Sequence, residues 1–260
     1  MKLIQSRENP FFKELVKLTA SARQRSKSNQ TLLDGAHLLA AYLDAGMMPQ
    51  HVLLNAMALH DGEIAGLLER ITDVPVTQLD DKLFAELSDL KTPTGILALI
   101  GLPQPAGTIA DSRFALLLED IQDPGNLGSM LRSAAAAGCD AVFLSPGCAD
   151  AWSPKVLRAA MGGHFALRIY ERQDLPVVAK AFSGTLLATS LQATRSLYDC
   201  DLRGNVAFLI GNEGAGLPAG LLKLATQRIA IPMHGQVESL NAAAAAAICL
   251  FEAVRQREGP

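Results

Sequence analysis

The sequence has no cysteines spaced for a metal site. Cys139, Cys148, Cys200 and Cys249 include no CxxC pair and have no histidine at ligand spacing, so neither a zinc site nor a disulfide framework is indicated and reduced, partly buried thiols are expected. It also lacks a long hydrophobic run. The longest, Ala242 to Phe251, is about half of the roughly 20 residues a membrane-spanning helix needs. Nothing near Met1 has the basic, apolar, small-residue order of a secretory signal, because Met1 to Ile4 gives way directly to polar Gln5 to Asn9. A soluble, cytoplasmic protein with no membrane partner is expected. There is no large charge excess: the formal net charge of −3 argues against a protein that coats nucleic acid indiscriminately. Neither a P-loop lysine motif nor a GxGxxG dinucleotide fingerprint is present, and internal repeats are absent.

What is there suffices for a core: 260 residues, 49% hydrophobic and 19% charged, enough for one large domain or two modest ones. The charge is uneven. Residues 1–30 hold seven Lys or Arg against two Glu, whereas residues 31–105 hold three basic against ten acidic side chains. Asn9-Pro10 is a helix start, with Leu15, Val16 and Leu18 apolar and Lys13, Lys17, Arg23, Arg25 and Lys27 left for solvent. That basic face is either simply solvated or a set of phosphate contacts, which position RNA without reading its sequence. Short apolar runs then alternate with helical patterns as far as Ile96 to Ile100, which predicts a small α/β layer domain. The stretch LPQPAGTIADS, Leu102 to Ser112, reads as a linker, so the predicted domains are 1–105 and 106–260. Beyond it, continuous apolar strands at Phe114 to Leu118, Ala141 to Leu144, Thr185 to Thr189 and Val206 to Ile210 predict a mostly parallel, helix-covered sheet, closed by a long helix from Ser239 to Arg257. The fold class is therefore α/β, in two domains.

Three motifs carry chemistry. In EDIQDPGNLGSMLRSAAAAG, Glu119 to Gly138, a strand end meets a Pro-Gly turn and a helix start, a junction where α/β proteins place ligands; it carries Asn126 and Arg132. In FLIGNEGAGLP, Phe208 to Pro218, an apolar strand runs into Gly211, Gly214 and Gly216 with Glu213 between, a setting for positive φ or close approach to a ligand. In IPMHGQVESLNAAAAAAICLFEAV, Ile231 to Val254, a Gly-containing loop leads to Ser239 and Asn241 at the head of the last helix. Each motif alone has a plain reading: Arg132 as a surface ion-pair partner, the glycines as a tight turn, Ser239 and Asn241 as caps.

Taken together and in this order, the motifs resemble the signature of the SpoU RNA ribose 2′-O-methyltransferases within the knotted SPOUT class. The resemblance implies a deep trefoil knot, S-adenosylmethionine held by backbone at Gly211, Ile231 and Leu240 with Leu209 and Met233 lining the same pocket, and an obligate homodimer whose active site uses both protomers. In the family the arginine at position 132 is held to activate the hydroxyl. A guanidinium is a poor proton acceptor, so a phosphate clamp and oxyanion stabiliser is the expected role, with Asn126, Glu213, Ser239 and Asn241 positioning the reactants. The alanine-rich helix after Asn241 and Ser133 depart from the commoner Val/Ser and Thr of the family, while keeping small side chains.

The opening segment NPFFKELVKL, followed by SARQR and LLDGAHLL, is similar to the auxiliary RNA-binding domain of SpoU enzymes that act on ribosomal RNA, which favours ribosomal over transfer RNA. Arg158 in KVLRAAMGGHF is either a further RNA contact or a surface ion pair. Tyr42 and Phe84 are expected in the core, and His37, His51, His60, His164 and His234 are scattered structural histidines with no metal. A non-catalytic RNA-binding assembly module on the same scaffold is the competing reading. Phosphoryl transfer on magnesium held by Glu119, Asp120 and Asp123 is a remote one.

Overall fold

The computed structural model describes residues 1–90 and 92–258, in two compact units: residues 1–104 with 152–165, and residues 105–151 with 166 onward.

The first unit opens with β1 (Lys2–Ile4), too short to show periodicity in the sequence, which pairs in parallel with β4 (Val76–Leu79). The basic segment forms two helices where one was predicted, α1 (Pro10–Ala20) and α2 (Ala22–Ser28). Asn9 caps α1, accepting from the N–H groups of Phe11 and Phe12, and Pro10 sits where no amide donor is needed. Ser21, in extended conformation, ends α1 and caps α2 by accepting from Gln24 N. That break corrects one reading: Arg25 is not a solvent-facing phosphate contact but is only 5% exposed. Its guanidinium turns back to donate to the carbonyls of Leu18 and Thr19, among the last four of α1, which have no partner within their own helix.

The chain continues through β2 (Gln30–Asp34), α3 (Ala36–Asp44), β3 (His51–Leu54), α4 (Gly62–Glu69), β4, α5 (Asp81–Leu87) and β5 (Ile96–Gly101). The sheet order is β1-β4-β3-β5-β2, with β5 antiparallel to both its neighbours and the other pairs parallel. Phe12, Leu15 and Leu18 of α1 pack with Leu83, Phe84 and Leu87 of α5 in one core cluster.

In the second unit, β6 (Phe114–Leu118), α6 (Pro124–Ala136) and β7 (Ala141–Leu144) follow. The next element, α7 (Pro154–Ala160), packs with the first unit, although the sequence placed all of 106–260 in one domain. The segment is apolar on the side that meets that unit: Trp152, Val156, Leu157 and Ala160 are buried, Thr31 Oγ1 donates to Trp152 O at 2.8 Å, and Phe165 meets Tyr42 edge-on at 5.1 Å. Then come β8 (Arg168–Tyr170), α8 (Leu175–Ala181), β9 (Thr185–Thr189), β10 (Val206–Ile210), α9 (Ala219–Leu224), β11 (Gln227–Ile229) and α10 (Ala242–Arg257). The short helices α8 and α9 were not read from the sequence.

All six strands of this unit run parallel in the order β11-β9-β10-β6-β7-β8. β6, β7 and β10 are buried along their whole length, as expected of strands covered on both faces. From β6 the chain steps outward to β7 and β8, returns to β9, and inserts β10 beside β6. The carboxyl ends of β6 and β10 are thus neighbours where the strand order reverses, the place where open α/β sheets bind ligands. Among the described residues, no helix is long and apolar enough to cross a membrane.

Candidate active site at the carboxyl ends of β6 and β10

Past β6, Asp120 takes a left-handed backbone (φ 55°) and its N–H donates to Ser145 Oγ at 2.9 Å, turning the chain off the sheet. Asp123 then caps α6 by accepting from Asn126 N at 2.7 Å, with Pro124 next in line. This places Asn126 in the first turn of the helix. Asp123 is therefore committed to the cap, and among the described residues no three His, Cys, Asp or Glu side chains converge to hold a metal ion. Glu119 is held above the ordinary carboxylate range by burial, opposed by a hydrogen bond with Ser145.

Past β10, the chain folds back on itself. A Cβ on Gly211 would lie 2.5 Å from the carbonyl carbon and oxygen of Gly216, so backbone meets backbone there, and only glycine fits. Gly216 itself has φ 66°. Past β11, Ala230 bridges to Ser196, and residues 231–241 run without regular structure to Asn241, which caps α10 by accepting from Ala243 N (2.9 Å) and Ala244 N (3.2 Å). The last helix begins at Ala242 rather than at Ser239, because the cap is Asn241.

These three junctions meet in one hydrogen-bonded chain. Asn241 Nδ2 donates to Asn126 Oδ1 at 2.9 Å, and Asn126 Nδ2 donates to Glu213 Oε1 at 2.6 Å, joining residues 115 and 87 positions apart. Beside it lies a cavity of about 450 Å³, within the size range of small-molecule sites. Its wall includes Gly211, Glu213, Ile231, Met233, Ser239 and Leu240. Of the residues named from the sequence for this pocket, Leu209 does not line it. Side chains alternate along a strand, so Leu209 shares with Ala207 the face buried against Leu175, Val178 and Leu221, while Ile210 reaches the cavity from the other face. The sequence reading also missed Thr189, Ser190 and Gln192, which line the cavity from the end of β9; they belong to no motif, and only the pairing of β9 with β10 brings them there.

Arg132 is exposed and its side chain makes no hydrogen bond or ion pair among the described residues. At about 100° per residue it lies roughly 240° around α6 from Asn126, on a different side of the helix. In the first unit Lys17, Arg23 and Lys27 are exposed, Lys13 is exposed and paired with Glu8, and exposed Arg158 donates to the carbonyl of Asp89 at 3.2 Å. Burial pushes the thiols of Cys139 and Cys148 up and that of Cys249 to about 12, so all three stay protonated and unreactive at neutral pH.

Comparison with known proteins agrees in both halves. Residues 113–251 match the SpoU rRNA Methylase family, and residues 9–98 match the MRM3-like substrate binding domain. Among relatives, the 23S rRNA (guanosine(2553)-2′-O)-methyltransferase RlmP of Bacillus subtilis is 35% identical over 96% of this chain and 98% of its own. An uncharacterized tRNA/rRNA methyltransferase of Synechocystis sp. is 35% identical over 98% of this chain and 94% of its own. Among solved structures, the AdoMet-bound rRNA methyltransferase from Sinorhizobium meliloti superposes with a TM-score of 0.84 at 27% identity, covering 100% of this chain and 99% of that one.

Proposed function

Because the chain belongs to the SpoU rRNA methylase family, we propose that it transfers a methyl group from S-adenosylmethionine to a ribose 2′-hydroxyl of ribosomal RNA in the cytoplasm. The observation that carries this reading is the chain Asn241–Asn126–Glu213, which ties the three motifs together at a cavity that Glu213 itself lines. Transfer RNA is the alternative substrate. The RlmP relative is named for ribosomal RNA, and the MRM3-like match over residues 9–98 supports the same class.

The cavity fits the donor. Its volume suits a nucleoside-sized ligand, Ile231, Met233 and Leu240 offer apolar surface for a base, and Ser239 and Gln192 offer polar groups for its edge and ribose. Gly211, Ile231 and Leu240 are the residues whose backbone would hold it. A sulfonium donor supplies an electrophilic methyl carbon, whose bonding pair returns to sulfur as the new carbon–oxygen bond forms.

This chain's residues do the rest. Asn126, Glu213, Ser239 and Asn241 fix the geometry of the ribose and its hydroxyl, and alignment of this kind supplies a large share of such a rate. Arg132 cannot serve as a base. Its guanidinium grips an RNA phosphate in a fork and offsets the negative charge that grows on the 2′-oxygen as its proton leaves to solvent. Because Arg132 lies on another side of α6 from Asn126, with no partner of its own, the site is completed in a homodimer, with each Arg132 serving the other protomer's cavity. The end of the chain is threaded as a trefoil knot, residues 1–105 bind the RNA substrate, and residues 106–260 carry the methyltransferase site, apart from α7 and its flanks. Exposed Lys17, Arg23 and Lys27 contact phosphates, with Lys13 and Arg158 as further contacts once their present partners are exchanged.

Labelled methyl transfer from S-adenosylmethionine to ribosomal RNA is expected from the wild type and is lost in Arg132→Ala. Full activity in that variant would remove Arg132 from the mechanism. Mapping 2′-O-methyl positions in total RNA with and without the protein identifies the nucleotide.

A further inference from the structure

The loop after β10 is fastened to the start of α6 at two points, and only one of them belongs to the signature residues. Glu213 is held by Asn126, as described. Its neighbour Asn212 uses both ends of its amide. Oδ1 accepts from Gly214 N and Ala215 N, each at 2.9 Å, which closes the glycine-rich turn. Nδ2 donates to the carbonyl oxygen of Asp120 at 2.9 Å and faces Asp120 Oδ2 at 3.4 Å. The amide orientation is dictated by its partners, since two N–H groups can only be met by the oxygen. The backbone adds a third tie, Gly216 N to Asn212 O at 2.9 Å, within the stretch that walls the cavity.

Asp120 is a firm anchor for this contact. Its left-handed backbone is pinned by Ser145 Oγ, its carboxylate accepts from Gln122 Nε2 at 3.0 and 3.1 Å, and a Cβ on Gly147 would lie 2.2 Å from Oδ1, so that flank is closed as well. Residues 120 and 126 bracket the turn that starts α6. Asn212 and Glu213 therefore hold the cavity wall to both ends of that turn.

We propose that Asn212 is a positioning residue for methyl transfer: its amide is a two-sided brace that sets the cavity loop 211–217 against the β6–α6 turn, and so sets the methyl donor against Asn126 at the start of α6. The proposal rests on the functional reading above. It separates two roles within one side chain, since the oxygen shapes the pocket and the nitrogen aligns the pocket with the rest of the site.

Asn212→Asp divides them. The carboxylate still accepts from Gly214 and Ala215, but it cannot donate to Asp120 and meets a like charge there. Expected are an S-adenosylmethionine Kd by calorimetry within about threefold of wild type and a single-turnover methyl-transfer rate down by about tenfold or more, since small misplacements of reacting groups carry penalties of that order. Adding Asp120→Asn to that variant removes the like charge and supplies a side-chain donor, while the main-chain carbonyl at 120 still lacks one, so the rate is expected to recover in part, by about threefold or more. An unchanged rate in Asn212→Asp overturns the proposal. So does a parallel fall of rate and affinity that Asp120→Asn does not rescue, which is the behaviour of a residue that only builds the pocket. If thermal melting shows Asn212→Asp to be unfolded, Asn212→Ser retains an acceptor for the turn without reaching Asp120, and the same split is required of it. A wild-type protein that binds no S-adenosylmethionine would sink the functional reading itself, whereas active wild type with an indifferent Asn212→Asp sinks only the brace.

Discussion

Asp34 shows how a single side chain can be set by surroundings that its sequence neighbours do not reveal. Its Oδ2 accepts from Ser88 Oγ at 2.8 Å and Asp89 N at 3.1 Å, while Oδ1 is buried without a hydrogen bond. Burial pushes its carboxyl above the ordinary value of 3.8, and the two hydrogen bonds only partly oppose that. The native state therefore holds this proton more tightly than the unfolded chain. Its contribution to stability is present at low pH and is lost as pH rises from 3.8 through the raised native value. Asp34→Asn is expected to abolish that segment of the stability-against-pH curve, measured by chemical denaturation, and to be at least as stable as wild type at neutral pH. A less stable Asp34→Asn at neutral pH would mean that the ionised form is the one the fold supports. At the candidate site the legible residues were those with a distinctive type in a distinctive setting, such as Asn126, Glu213 and Asn241. Asn212 went unread because an asparagine beside a glycine-rich turn looks like turn chemistry until its other end is seen on Asp120.

Among the elements, the pair α1 and α2 carries the clearest correction. Periodicity marked a basic amphipathic stretch but could not show that Ser21 breaks it, or that the break aims one of the five cations inward. Arg25 joins two helices and lies out of reach of phosphate, and the consequence is measurable. Arg25→Met is expected to lower unfolding stability by about 1–3 kcal/mol, since it strips charged donors from buried carbonyls. It should leave the salt dependence of RNA binding unchanged. The triple variant Lys17→Ala, Arg23→Ala, Lys27→Ala should do the reverse, reducing the slope of log affinity against log salt by about 2 if the three meet single-stranded phosphates. Filter binding across a salt series, beside urea melts, checks both. Strand ends were read well because the parallel strands are continuous apolar runs, whereas α8 and α9, of seven and six residues, are too short to establish a period.

For the whole molecule, the proposed dimer makes a prediction that no single chain could satisfy. Arg132→Ala and Glu213→Ala are each expected to be inactive alone. Unfolded together and reassembled at equal amounts, half the dimers are mixed and each mixed dimer has one intact site, so about a quarter of wild-type activity should return. No recovery, with mixed dimers present by mass, would place Arg132 and Glu213 of the same protomer in one site.

The sequence by itself determined the α/β class, the longer strands, the helix start at Asn9, and the polar residue types of the three motifs. These depend on local periodicity and on groups that act within a few positions of themselves. Only the tertiary structure decided that Leu209 faces the core while Thr189 and Gln192 face the cavity, that α7 packs with the first unit, that Arg25 is buried, and that Asn241, Asn126 and Glu213 form one chain. Each of these depends on which strands pair, which helix ends meet or which helix packs on which sheet, and none of that leaves a spacing in the sequence to be read.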